Sequence, residues 1–159
     1  MDVIKLGKIK NNLFILIPEI ANFKYSLTLK DLLQNEKDYT NIVLSMGDTK
    51  YIDSSFIGVL LFIGLMVVKE KKNKVIIFAN EYIKKILTKY QMSSYFEIKV
   101  EKHDFNNIVL EEIQLKTADE KQYLISVLED HRLLSSISER NREAFTDLIK
   151  SLEKELEKK

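Results

Sequence analysis

The stretch from Phe56 to Val68 is apolar throughout apart from Gly58 and Gly64, and the charged run Lys69-Glu70-Lys71-Lys72 stops it. As a helix rising about 1.5 Å per residue it would be roughly 20 Å long. A membrane's hydrocarbon core is about 30 Å thick, so this segment is expected to be a buried helix and not a membrane span. A helix that is apolar all round must be covered all round. A β-sheet covers one side only. The remaining side must meet the C-terminal part of the chain, a second copy in a homodimer, or a partner. The C-terminal part is the expected cover, with dimerisation next.

The segments around this helix alternate between strand and helix. Val3 to Ile9 and Leu13 to Ile17 read as strands joined by a turn at Lys10-Asn11-Asn12, and Pro18 ends the second. Ser26 or Thr28 is expected to cap a short helix with Leu29, Leu32 and Leu33 on one face. Asn41 to Met46 reads as a buried strand, and Tyr51-Ile52 runs extended into Asp53. The apolar helix follows from Ser54 or Ser55 to Lys71. Lys74 to Ala79 is the next buried strand, and Asn80 is placed to cap a helix from Glu81 to Tyr90. Phe96 to Val100 alternates like an edge strand. Asp104 is expected to cap a helix carrying Ile108, Val109 and Ile113. Strands alternating with helices imply crossovers and a mostly parallel sheet, which the N-terminal hairpin makes mixed. The expected class is therefore α/β, with helices mainly on one face of the sheet.

Composition shifts at Thr117. Thr117-Ala118-Asp119-Glu120 fits a capping box, and Leu124, Val127, Leu128 and Leu134 follow at helical spacing. Ser135-Ser136-Ile137-Ser138-Glu139 reads as a break before a second stripe of Phe145, Leu148, Ile149, Leu152 and Leu156. The chain thus divides into an α/β domain, residues 1–116, and a helical extension, residues 117–159, formed by one long helix or a helical hairpin.

Motifs for chemistry are scarce. The 159 residues contain no cysteine, so thiolate catalysis and cysteine-ligated metals are excluded. The chain has four glycines and neither G-x-G-x-x-G nor a Walker A pattern. His103 and His131 have no metal-ligand spacing, and neither is placed by sequence to activate Ser54 or Ser55. Glu111-Glu112 and Asp119-Glu120 read as solvated helix faces. The formal net charge of +1 gives no field to attract nucleic acid or an anionic membrane. The N-terminus shows no signal-peptide pattern. The expectation is a cytoplasmic, non-enzymatic protein without cofactor, metal site or nucleic-acid partner.

One turn stands out. Asp53-Ser54-Ser55 lies between the strand at Ile42-Val43-Leu44-Ser45 and the apolar helix Phe56-Ile57-Gly58-Val59-Leu60. Asp and Ser are favoured helix caps because their side-chain oxygens accept from free backbone N–H groups. The turn and the order of elements around it, over about residues 3–113, resemble the STAS domain of bacterial anti-sigma factor antagonists. The resemblance implies that Ser55 is a phosphorylation switch and that Asp53, Ser54, Ser55, Phe56 and Gly58 form the partner-binding segment. It also implies an anti-sigma factor that doubles as serine kinase, and a metal-dependent phosphatase that reverses the modification. Phe56 stands where that family usually has glycine after the switch serine. The alternative is a constitutive scaffold or oligomerisation module of the same fold, unphosphorylated and assembling through its C-terminal helices.

Overall fold

The computed structural model describes residues 3–103 and 105–159. The chain begins with the expected hairpin, β1 (Lys5–Ile9) and β2 (Asn12–Leu16), paired antiparallel. The short strand β3 (Ile20–Ala21) and helix α1 (Ser26–Asn35) follow. Then come β4 (Asn41–Met46), β5 (Tyr51–Ile52) and α2 (Ser54–Lys69). After them lie β6 (Val75–Ala79), α3 (Glu81–Lys89) and β7 (Phe96–Lys99). The chain finishes with β8 (Glu111–Glu112), α4 (Glu120–Ser136) and α5 (Glu139–Glu157).

The main sheet has the order β7-β6-β4-β2-β1-β8. Its β2–β4, β4–β6 and β6–β7 pairs are parallel, and β1 pairs antiparallel with both neighbours. The sheet is therefore mixed and mostly parallel, as the alternating pattern predicts. β3 and β5 form a separate parallel pair that carries the chain into α2.

Strand alternation sends Leu13, Ile15, Ile42, Leu44, Met46, Val75 and Ile77 to one face, where all are fully buried with Leu29 and Leu33 of α1 and Ile83 and Leu87 of α3. Phe56, Leu60 and Ile63 of α2 complete this core. Each such side chain contributes about 1.5–3 kcal/mol on burial. The opposite face carries Phe14, Val43 and Phe78. There the His103 ring stacks on Phe78 at 4.5 Å, with Phe105 edge-on to His103 at 4.8 Å. His103 is thus a packing residue on the second face of the sheet.

The helical extension is a hairpin. α4 packs against α2, and α5 packs against α4. Leu134 of α4 and Phe145 of α5 join the main core. The cover that the apolar helix requires is therefore its own C-terminal region. Asn141 of α5 is buried and donates to the Tyr90 carbonyl at 2.8 Å, which ties the hairpin to the end of α3 as well.

Four local expectations change. No helix forms over 105–113; Glu111 and Glu112 instead pair with Leu6 and Lys5 on the open edge of β1. Gly7 permits this, because a Cβ there would lie 2.6 Å from Ile108 Cγ2. The expected cap Asp104 lies outside the described residues. The cap of α4 is Asp119, whose carboxylate accepts from Gln122 N–H at 2.8 Å while Gln122 accepts from Asp119 N–H at 2.9 Å. Thr117 precedes it in a segment without helix or strand. α1 has no side-chain cap; Ser26 is its first residue and Thr28 accepts from Lys116 N–H at 2.7 Å. α2 ends at Lys69, two residues before the expected end. Among the described residues no helix is long and apolar enough to cross a membrane.

Candidate functional site

Asp53 is an extended residue at the N-cap of α2, with φ −91° and ψ 167°. Its Oδ1 accepts from Phe56 N–H at 2.8 Å, and its Oδ2 accepts from Phe23 N–H at 2.9 Å. One carboxylate therefore caps α2 and pins the turn that leads into α1. The following serines do not extend into solvent. Both point at α4.

Ser55 Oγ donates to Asp130 Oδ2 at 2.6 Å. Ser26 Oγ donates to the same oxygen at 2.8 Å. Lys30 Nζ lies 2.5 Å from Asp130 Oδ1 and 3.3 Å from Ser126 Oγ, and Ser126 Oγ lies 2.9 Å from Ser26 Oγ. The ring closes if Lys30 donates to Ser126, Ser126 to Ser26, and Ser26 to Asp130. Asp130 is 1% exposed and Ser55 3%. Burial pushes the Asp130 carboxyl above its usual range, while Lys30 and the hydroxyls of Ser55 and Ser26 pull it back in part.

Ser54 takes a second partner. Its Oγ lies 2.7 Å from His131 Nε2, and His131 Nδ1 lies 2.6 Å from the Val127 carbonyl. A carbonyl only accepts, so Nδ1 carries a proton and donates to it, which leaves Nε2 facing the Ser54 hydroxyl. The expectation that no histidine is placed to activate Ser54 or Ser55 is thus corrected in geometry for Ser54, which His131 contacts. The pair has the contact of a nucleophile and its base. Yet a backbone carbonyl orients the ring, and Phe145 closes its far side edge-on at 5.2 Å. His131 is 2% exposed. In this setting the contact fastens α4 to α2.

Phe56 and Gly58 lie inside the molecule. Phe56 is fully buried in the core, so its ring does not crowd the mouth of the turn. Gly58 sits where α2 and α4 cross: a Cβ there would be 2.6 Å from Asp130 Cβ and 2.7 Å from the Asp130 carbonyl oxygen. Only glycine allows α4 to approach closely enough for Asp130 to reach Ser55.

The segment named from the sequence thus comes together with Ser26, Lys30, Ser126, Asp130 and His131, which sequence reasoning missed. One signal was available. Asp130 and His131 interrupt the apolar stripe of α4 between Leu128 and Leu134, and a charge within such a stripe requires a partner. Among the described residues no cluster of His, Cys, Asp and Glu is arranged to hold a metal ion. Compared with known proteins, the chain finds no match: no family model, no curated protein and no solved structure matches it.

Proposed function

We propose that this protein is a non-enzymatic regulatory binding domain, similar to the anti-sigma factor antagonists. In this reading it engages a protein partner at the Asp53-Ser54-Ser55 turn and is switched by phosphorylation of Ser55. The observation that carries the reading is the hydrogen bond from Ser55 to the buried Asp130. A phosphate brings about −1.5 to −2 charges. It cannot share this space with a carboxylate, although the N-terminus of α2 would accept it on its own. Modification therefore forces a choice: the phosphate or the docked hairpin. The sequence of strand, acidic cap, serine pair and apolar helix supports the same reading. The partner is an anti-sigma factor with serine kinase activity, and a metal-dependent phosphatase resets the switch.

The test is intact-mass measurement of the full chain after incubation with ATP and a serine kinase of the anti-sigma type. One added phosphate is expected, and none in Ser55→Ala. No mass shift, with a kinase shown to be active on another substrate, overturns the switch.

The burial of Ser55 at 3% exposure favours a second reading, a constitutive scaffold without phosphorylation. It assembles through the C-terminal helices, where Leu148 of α5 is 40% exposed. Light scattering would then show an oligomer that Leu148→Glu disperses.

A further inference from the structure

We propose that the face of α2 beneath α4 is the docking surface for a helix of the partner, and that the α4–α5 hairpin occupies it in cis as a displaceable surrogate. This rests on the reading of the protein as a binding domain and names the surface and the chemistry of its partner.

Three observations converge. First, the buried residues of α4 are Ser126, Leu128, Asp130, His131 and Leu134; three of the five are polar, and these three make hydrogen bonds to Ser26, Ser55 and Ser54 of α1 and α2. Buried ion pairs and hydroxyls specify a position strongly but contribute little net stability compared with apolar packing. The polar part of the contact therefore selects its occupant more than it stabilises it. Second, the hairpin fills its seat incompletely. Phe62 and Leu65 of α2 remain only half-buried, and a groove of about 310 Å³ runs beside them to Leu133 of α4, flanked by Gln34 and Lys37. Third, the hairpin hangs on residues 113–119, which form neither helix nor strand and are largely exposed. Lys116 N–H to Thr28 Oγ1 is a tether within that segment.

The surface defines its occupant. Lys30, whose side chain is only 12% exposed, demands a negative charge opposite it. Ser26 and Ser55 supply donors for a carboxylate. Gly58 demands that the incoming backbone approach without obstruction. The partner is thus an amphipathic helix bearing a small residue, a carboxylate and an apolar residue at successive four-residue intervals. A phosphate on Ser55 would repel that carboxylate whether it came from α4 or from the partner.

The test uses the full chain carrying Asp130→Lys, which sets a second cation against Lys30 and undocks the hairpin while leaving α2 intact. A fluorescent synthetic peptide of residues 119–137 is the probe, read by anisotropy. It is expected to bind the variant at least tenfold more tightly than it binds wild type. The same peptide with Asn at position 130 is expected to bind at least tenfold more weakly. A folded Asp130→Lys chain that does not bind the peptide overturns the proposal. Should that variant not fold, amide exchange of the wild-type chain with and without an excess of the peptide decides: exchange in α5 at least tenfold faster with the peptide supports displacement of the hairpin, and unchanged exchange overturns it. Failure here leaves the kinase experiment on Ser55 standing. Peptide binding without phosphorylation keeps the surface and removes the switch.

Discussion

Ser55 on α2 and Asp130 on α4 are joined by a 2.6 Å hydrogen bond across 75 residues of sequence, and both are buried. The residue expected to carry a charge switch already faces a charge, supplied by the chain itself.

Asp130→Ala leaves Lys30, Ser26 and Ser55 without their acceptor. Breaking a buried pair in this way costs about 3–5 kcal/mol. Asp130→Asn keeps a carbonyl acceptor, and Lys30 retains Glu129 Oε2 at 3.9 Å, so its loss is expected to be smaller. Urea unfolding of the three chains checks the order.

The same residue predicts a pH dependence. The folded-state pKa of Asp130 is raised from 3.8, chiefly by burial. The native chain therefore holds a proton at pH values where the unfolded chain has released it. By linkage, this contribution to stability is complete below the unfolded value and is lost as pH rises through the raised one. The stability of wild type relative to Asp130→Asn is expected to fall as pH increases from the ordinary carboxylate range upward. A difference that grows with pH would contradict the assignment.

Gly58→Ala should destabilise even though alanine favours helix by about 1 kcal/mol over glycine. Its Cβ would meet the backbone of α4 at 2.7–2.9 Å, whereas one at Gly64 would meet side-chain atoms of Phe96 and Tyr95 at 3.2–3.3 Å. Overpacking costs about 1–3 kcal/mol. Thermal or urea unfolding should place Gly58→Ala below Gly64→Ala by at least about 1 kcal/mol.

Tyr39 offers a test away from the site. It is 2% exposed, its hydroxyl has no hydrogen-bond partner among the described residues, and Lys72 Nζ lies 3.8 Å from the ring centre. Burial, with Glu70 and Glu36 nearby, pushes its pKa up to about 12. Folding therefore favours the neutral ring, a contribution present below the ordinary value near 10 and lost as pH rises through about 12. Tyr39→Phe removes an unsatisfied group, so its stability at neutral pH should equal or exceed wild type by up to about 1 kcal/mol. A loss above about 1 kcal/mol in urea would show that the hydroxyl has a partner.

The parts of the fold visible in the sequence are those fixed by local pattern. β4, β6 and α2 are predominantly apolar runs, and Asn80 caps α3 through Ile83 N–H as expected. The missed elements depend on distant strands and helices. Ile108, Val109 and Ile113 have helical spacing, but the open edge of β1 recruits their segment as β8. Thr117-Glu120 and Asp119-Gln122 both satisfy the capping-box spacing, but Lys116 N–H is held by Thr28 Oγ1 just before the first, and the helix starts at the second. Helix ends were obscured because Lys71 and Gln91, with φ of 57° and 62°, hold positions where glycine would have signalled a stop. At the site, Asp53 was legible as a cap from its neighbours. Asp130 and His131 were legible only as polar interruptions of the apolar stripe of α4, since their partners arise only when α4 crosses α2.

The most direct measurement is amide exchange on the full chain carrying Ser55→Asp, compared with wild type. The substitution sets a carboxylate against Asp130 while the cap at Asp53 stays in place. The account predicts markedly faster exchange throughout α4 and α5, with protection in β4 and β6 unchanged. Equal protection of the hairpin in both chains would contradict the claim that charge at position 55 governs whether the turn is covered.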